Sequence, residues 1–151
     1  MLVPTGILQR RRIRGMDIRA HLSNTESQHR VVVETDGRSQ ALAIMPKSAG
    51  RGSSINGGEL LLAALATCFC NDLYREAARR QVAISRVDVT ASATFGGPGE
   101  PGKNISYRVD VEGDAPPAVL EELVRATDAV TEIQNTLRAG CAVQLLDDTT
   151  T

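Results

Sequence analysis

Residues 56–80, NGGELLLAALATCFCNDLYREAARR, decide how the rest of the chain is read. Asn56 can accept from the free N–H groups of a first helical turn, and Glu59 can reach back to it in a capping box. Gly57 and Gly58 weaken that turn, so the start is fixed only to within a few residues. Residues 60–70 are apolar except for Thr67 and hold neither Pro nor Gly. A helix apolar on every side is buried on every side, so the stretch predicts a central core helix. The run is too short to span a bilayer and ends at Asn71 and Asp72. Leu73, Tyr74, Ala77 and Ala78 continue one apolar stripe, with Arg75, Glu76, Arg79 and Arg80 mostly outside it. Two of the three cysteines, Cys68 and Cys70, lie in the middle of this helix.

On the N-terminal side, residues 46–58 form a Gly- and Ser-rich loop carrying Lys47 and Arg51. Residues 16–22 alternate apolar and polar, residues 29–35 are rich in β-branched side chains, and residues 38–44 return after Asp36-Gly37, a strong hairpin signal. These predict a three-stranded antiparallel meander. On the C-terminal side, Val87, Val89, Ala91, Ala93 and Phe95 share one face of a long strand, and Ile105, Tyr107, Val109 and Val111 alternate in the next. The Gly/Pro-rich residues 96–102 join them as a second hairpin. Asp114 is the candidate cap of a helix opening at Pro116-Pro117. Helical spacing continues to Leu137 with a break expected near Thr127-Asp128, Ala139-Gly140 is a C-cap, and residues 141–146 read as a closing strand. The order is βββ-α-ββ-α(α)-β, an α+β class with two helices packed on antiparallel sheet.

At 151 residues the chain is expected to be one domain over 16–146, with a flexible N-terminal arm at 1–15 and a frayed tail at 147–151. A 42% hydrophobic content supports a core built from Leu, Val, Ile and Ala. Net charge of −1 gives no general attraction to nucleic acid or acidic lipid, and the arginine run at 9–14 reads as a solvated arm. An odd cysteine count without a secretory signal points to a reducing, cytoplasmic setting. No His/Cys/acid group has metal-ligand spacing, and His21 and His29 read as surface strand residues.

The segment from Gly58 to Cys68, GELLLAALATC, resembles the E-L-L-x-A-A-L-x-x-C helix motif of the OsmC/Ohr family, with the same nine-residue step from Glu59 to Cys68. The Gly/Ser loop before it, the two hairpin regions and the closing helix-plus-strand also match, so the resemblance covers roughly residues 16–146. It implies an intertwined α+β homodimer built on two central helices. It also implies thiol-dependent reduction of organic hydroperoxides without a cofactor or metal. Cys68 aligns with the attacking cysteine and Glu59 with the glutamate that helps position an activating arginine, for which Arg51 is the nearest candidate and Arg38 another. A thiol in the middle of its own helix needs such a cation to lower its pKa.

The chain departs from the family's two-cysteine pattern. Leu137-Arg138-Ala139-Gly140 fits the end of the C-P-x-S-x-x-L-x-x-G motif, which puts Thr131 at the resolving position and Glu132 where proline is expected. Cys70 is about 200° around the helix from Cys68, too divergent for a disulfide without unwinding. Cys70 and Cys141 both read as buried small hydrophobes. Asp72, one turn beyond Cys68, disfavours the thiolate unless Arg75 offsets it. The expectation is a one-cysteine hydroperoxide reductase served by an external thiol reductant. The alternative is a non-catalytic dimer of the same fold that binds an apolar small molecule.

Overall fold

The computed structural model describes residues 15–146. The arm expected over 1–15, apart from Gly15, and the tail expected over 147–151 lie outside them. The fold is α+β with antiparallel sheets, and the chain forms two compact units, Met1–Ile55 and Asn56–Thr151.

In the first unit, β1 (Ile18–Asn24), β2 (His29–Thr35) and β3 (Arg38–Leu42) form the expected meander. Thr35 pairs with Arg38 across a two-residue turn in which Asp36 and Gly37 both take positive φ, 47° and 81°. Those dihedrals suit the right-handed twist of the strands they join. Val31 is the buried side chain of this sheet, whereas Ile18, Leu22 and Leu42 are exposed. The following loop is locally ordered by a Pro46–Ser53 bridge and by the Lys47 N–H donating to the Gly52 carbonyl at 3.0 Å.

The second unit opens with α1 (Gly57–Arg79), followed by β4 (Ile84–Thr94), β5 (Lys103–Gly113), α2 (Pro117–Val130) and α3 (Glu132–Ala139). The capping box is present: Glu59 N–H donates to Asn56 Oδ1 at 2.9 Å, and Asn56 N–H donates to Glu59 Oε2 at 2.8 Å. Strands β4 and β5 pair antiparallel, with Val87 opposite Val111 and Val89 opposite Val109. Their apolar face takes α1 and α2. Phe69, Leu73, Ala77 and Leu123 form the buried centre, surrounded by Val82, Ile84, Val87, Val89, Tyr107, Val109, Val111 and Val124. The Phe69 and Tyr107 rings meet tilted at 5.3 Å, a favoured aromatic geometry. Gly113 permits a close crossing, because a Cβ there would lie 2.5 Å from the Ala83 carbonyl.

Four expectations change. First, α1 is not buried all round among the described residues: Leu65, Phe69, Asp72, Leu73 and Ala77 make one buried stripe, and Leu60 and Ala63 are exposed. Second, Asp114 does not cap α2; its carboxylate accepts from the Ala83 N–H at 3.2 Å, and Pro116 is the cap residue. Third, the helical break falls at Thr131. Thr127 stays inside α2 because its hydroxyl, fully buried, donates to the Leu123 carbonyl one turn back at 2.8 Å. Fourth, residues 141–146 form no strand. Gly140 leaves the helix in the left-handed region at φ 66°, and the segment after it pairs with no strand among the described residues. Cys141 is therefore exposed.

Candidate functional site

Cys68 sits midway along α1, partly exposed, where the α2–α3 junction crosses the helix. Three features converge on its sulfur. Asp72, one helical turn on, places Oδ2 at 3.8 Å, and Glu132, the first residue of α3, places Oε2 at 3.7 Å. Both distances are within reach of an S–H donor. The backbone N–H groups of Ile133 and Glu132 also act on the sulfur from the first turn of α3, where helix amides have no internal partner. Gln134 anchors that turn, its buried amide donating to the Leu65 carbonyl on α1 at 3.2 Å.

These groups compete. Burial pushes the Cys68 thiol up, the Ile133 amide pulls it down, and the negative charges of Asp72 and Glu132 push it up again; the net direction is upward. Asp72 is itself raised, first by burial and then by the charge of Glu132, with the Arg75 guanidinium at 2.8 Å opposing both. Glu132 is held low by its own backbone N–H and by hydrogen bonding from Asp72 and Cys68. Arg75 thus pairs with Asp72 without cancelling its effect, and the thiol remains raised.

Cys68, Asp72 and Glu132 are also the three described side chains whose ligand atoms lie within 4.8 Å of one another, a set able to take a divalent cation. Sequence spacing could not show this group, because Glu132 lies 64 residues beyond Cys68. The helix-N-terminal amides were missed for the same reason. A thiol in the middle of its own helix gains them from another helix.

The other expected site residues are placed as follows. Glu59 belongs to the capping box, about 13 Å along the axis from Cys68 at helical rise, so it does not touch that sulfur within one protomer. Arg51 lies in the first unit, where its guanidinium donates to the Asn24 carbonyl at 3.3 Å. Arg38 opens β3. Cys70 points away from Cys68, as its helical position requires, into a surface cavity lined by Ala66, Thr67, Asn71, Val87 and Val89. It is only partly buried, short of the expected core position. His21 is an exposed strand residue on β1, as expected, whereas His29 on β2 is half-buried, one ring nitrogen bonding Asn24 at 3.1 Å and the other buried. A cavity of about 210 Å³ lies beside the site, lined by Leu65, Ile105, Tyr107, Gln134, Leu137 and Arg138. Leu65 precedes Cys68 by three residues on α1 and is its neighbour on the helix surface.

No curated protein sequence matches the chain. Among solved structures it is similar to an OsmC-like protein from Mycoplasma pneumoniae, at 19% identity and TM-score 0.59 over 85% of this chain and 90% of that one. It is similar to a hypothetical protein from Aquifex aeolicus VF5 at 15% identity and TM-score 0.60, again over 85% and 90%. It also matches an organic hydroperoxide resistance protein OsmC from Legionella pneumophila at 21% identity and TM-score 0.51, over 83% and 90%. At these identities the likeness is one of fold. The profile of the family described as OsmC-like protein matches residues 50–146, most of the chain, taking in the ELL…C helix, the second hairpin and the Thr131 junction. The chain belongs to the OsmC-like protein family.

Proposed function

We propose that this protein reduces organic hydroperoxides through the thiol of Cys68, as a homodimer in the cytoplasm, with a small external thiol as reductant. The observation that carries this reading is the Cys68 sulfur, partly open to solvent and faced by the free amides that open α3. Such amides favour an anionic sulfur. The cavity beside Leu65 offers an apolar seat for the organic part of a hydroperoxide. The Legionella pneumophila protein of the same fold, named for organic hydroperoxide resistance, adds support. The cysteine positions favour an external reductant: Thr131 aligns with the family's resolving position, Cys70 faces β4, and Cys141 follows the end of α3. Arg51 is the proposed activating cation and Glu59 its positioning partner. The exposed apolar side chains of α1 and of residues 143–146 favour a second copy covering them.

Turnover of cumene hydroperoxide with dithiothreitol or glutathione tests the reading. Wild type and the Cys70→Ser and Cys141→Ser variants should consume it, Cys68→Ser should not, and Arg51→Ala should be slowed. A wild type that consumes none, with every reductant tried, sinks the proposal. The raised Cys68 thiol favours one second reading, a non-catalytic dimer binding an apolar small molecule in the 210 Å³ cavity. In that case Cys68→Ser and wild type bind an apolar fluorophore equally and neither consumes peroxide.

A further inference from the structure

We propose that the first unit carries a binding site of its own for a small soluble phosphomonoester, held by Lys47, Arg51 and His29. The β1–β2 turn and the loop after β3 enclose a cavity of about 320 Å³, and all of its wall residues lie between Asn24 and Gly52. Both walls are fixed by hydrogen bonds. In the turn, Thr25 N–H donates to the Gln28 carbonyl at 2.8 Å and Gln28 N–H donates to Thr25 Oγ1 at 3.1 Å. In the loop, the Pro46–Ser53 bridge closes a return that Gly50 and Gly52 make in the left-handed region, at φ 80° and 104°.

Cations outnumber acids in this wall. Lys47 and Arg51 stand against one carboxylate, Glu26, and neither has an ion-pair partner among the described residues. Arg51 is positioned by the bond that one of its three nitrogens makes to the Asn24 carbonyl at 3.3 Å. His29 points to a ligand independently. The Asn24 amide donates to its Nδ1 at 3.1 Å, so the ring proton sits on Nε2. That N–H is buried and has no partner among the described residues. An unpaired buried donor is costly, and an anionic oxygen seated against the ring would satisfy it. Two cations and a ring N–H suit a dianion with three outer oxygens: the guanidinium fork takes two, the ammonium the third. A phosphomonoester carries that charge near pH 7. A carboxylate brings one charge and two oxygens, and offsets the two cations less well.

The test follows the backbone amides of residues 24–29 and 46–52 by ¹H–¹⁵N NMR of the full chain. Inorganic phosphate, glycerol 3-phosphate and acetate are titrated at fixed ionic strength, because exposed charges are screened by salt. Both phosphates should move these amides saturably, with acetate about tenfold weaker or more. Lys47→Gln should weaken glycerol 3-phosphate by about tenfold, the loss of one charge-assisted hydrogen bond. Glu26→Gln should tighten it about two- to fivefold by removing the opposing charge. Lys103→Gln, exposed on β5 of the second unit, should leave it unchanged. Unmoved amides, acetate equal to the phosphates, or a Lys47→Gln variant that binds like wild type overturns the site. Co-sedimentation with phosphatidylcholine vesicles containing phosphatidic acid, with no response to glycerol 3-phosphate, would assign the phosphate to a lipid headgroup and overturn the soluble ligand. No wall residue belongs to the second unit, so Cys68→Ser should bind as wild type does. A wild type that consumes no peroxide therefore leaves this site standing, and loss of phosphate binding leaves the Cys68 chemistry standing.

Discussion

At Cys68 burial, two carboxylates and two backbone amides act on one thiol in opposite directions, and the carboxylates with burial prevail. Removing a carboxylate therefore shifts the balance toward the thiolate. Asp72→Asn is expected to raise the iodoacetamide rate of Cys68 at pH 7 by about two- to fivefold, the equivalent of ~0.5–1 kcal/mol for a partly exposed charge interaction. A rate–pH profile checks it: the inflection should move to lower pH. An unchanged or upward-shifted inflection would show that Asp72 does not act on the thiol by charge. The sequence carried half of this site. Asp72 is one turn from Cys68, so its face and its sign are readable from helical periodicity alone. Glu132 and the α3 amides reach the sulfur only after the second hairpin and α2 have folded back on α1, and no local pattern encodes that return.

Where α2 gives way to α3, three elements are fastened by side chains around Asp128. Tyr107 of β5 donates its hydroxyl to the Asp128 carboxylate, and Arg138 of α3 donates to it at 2.6 Å. Burial works to raise Asp128, but these two hydrogen bonds outweigh it and hold the carboxylate low. A depressed folded-state pKa contributes stability that is present above the unfolded value, about 4, and is lost as pH falls through the folded one. Asp128→Asn should therefore cost about 1 kcal/mol at pH 7, allowing for its partial exposure, and progressively less below pH 4. Urea midpoints across pH 3–7 measure it; a pH-independent difference would argue against the ionic origin. In the core, Phe69→Ala, at a side chain with no exposure, should cost about 3–5 kcal/mol by the same assay. The elements themselves were mostly legible. The Asn56–Glu59 box, the Asp36-Gly37 turn and the period-two runs of β4 and β5 are local signals, and each forms where expected. The break after α2 was misplaced because Thr127, a poor helix former, is held in the helix by its own back-bond.

At the scale of the molecule, the apolar pattern exceeds what is buried among the described residues. Residues 60–70 call for burial on every side, yet Leu60 is 38% exposed. Residues 141–146 alternate like a strand, yet Val143 and Leu145 are each 97% exposed and the backbone there has no sheet partner among the described residues. The proposed second copy would satisfy both an unpaired strand-like segment and an apolar helix face, its sheet edge supplying backbone partners and its helix covering the face. Burial predicted from sequence failed for these residues because periodicity marks which faces are apolar and is silent on what covers them. Sedimentation velocity at micromolar concentration should then give a dimer. Val143→Asp with Leu145→Asp should shift it to the monomer mass, at least tenfold weaker in association, because each buried charge costs more than the ~1.4 kcal/mol that a factor of ten requires. The second unit's core contains neither residue, so far-ultraviolet circular dichroism should keep the helical signal. A double variant that still sediments as wild type would place the interface elsewhere, and a monomeric wild type would leave these residues exposed for another reason.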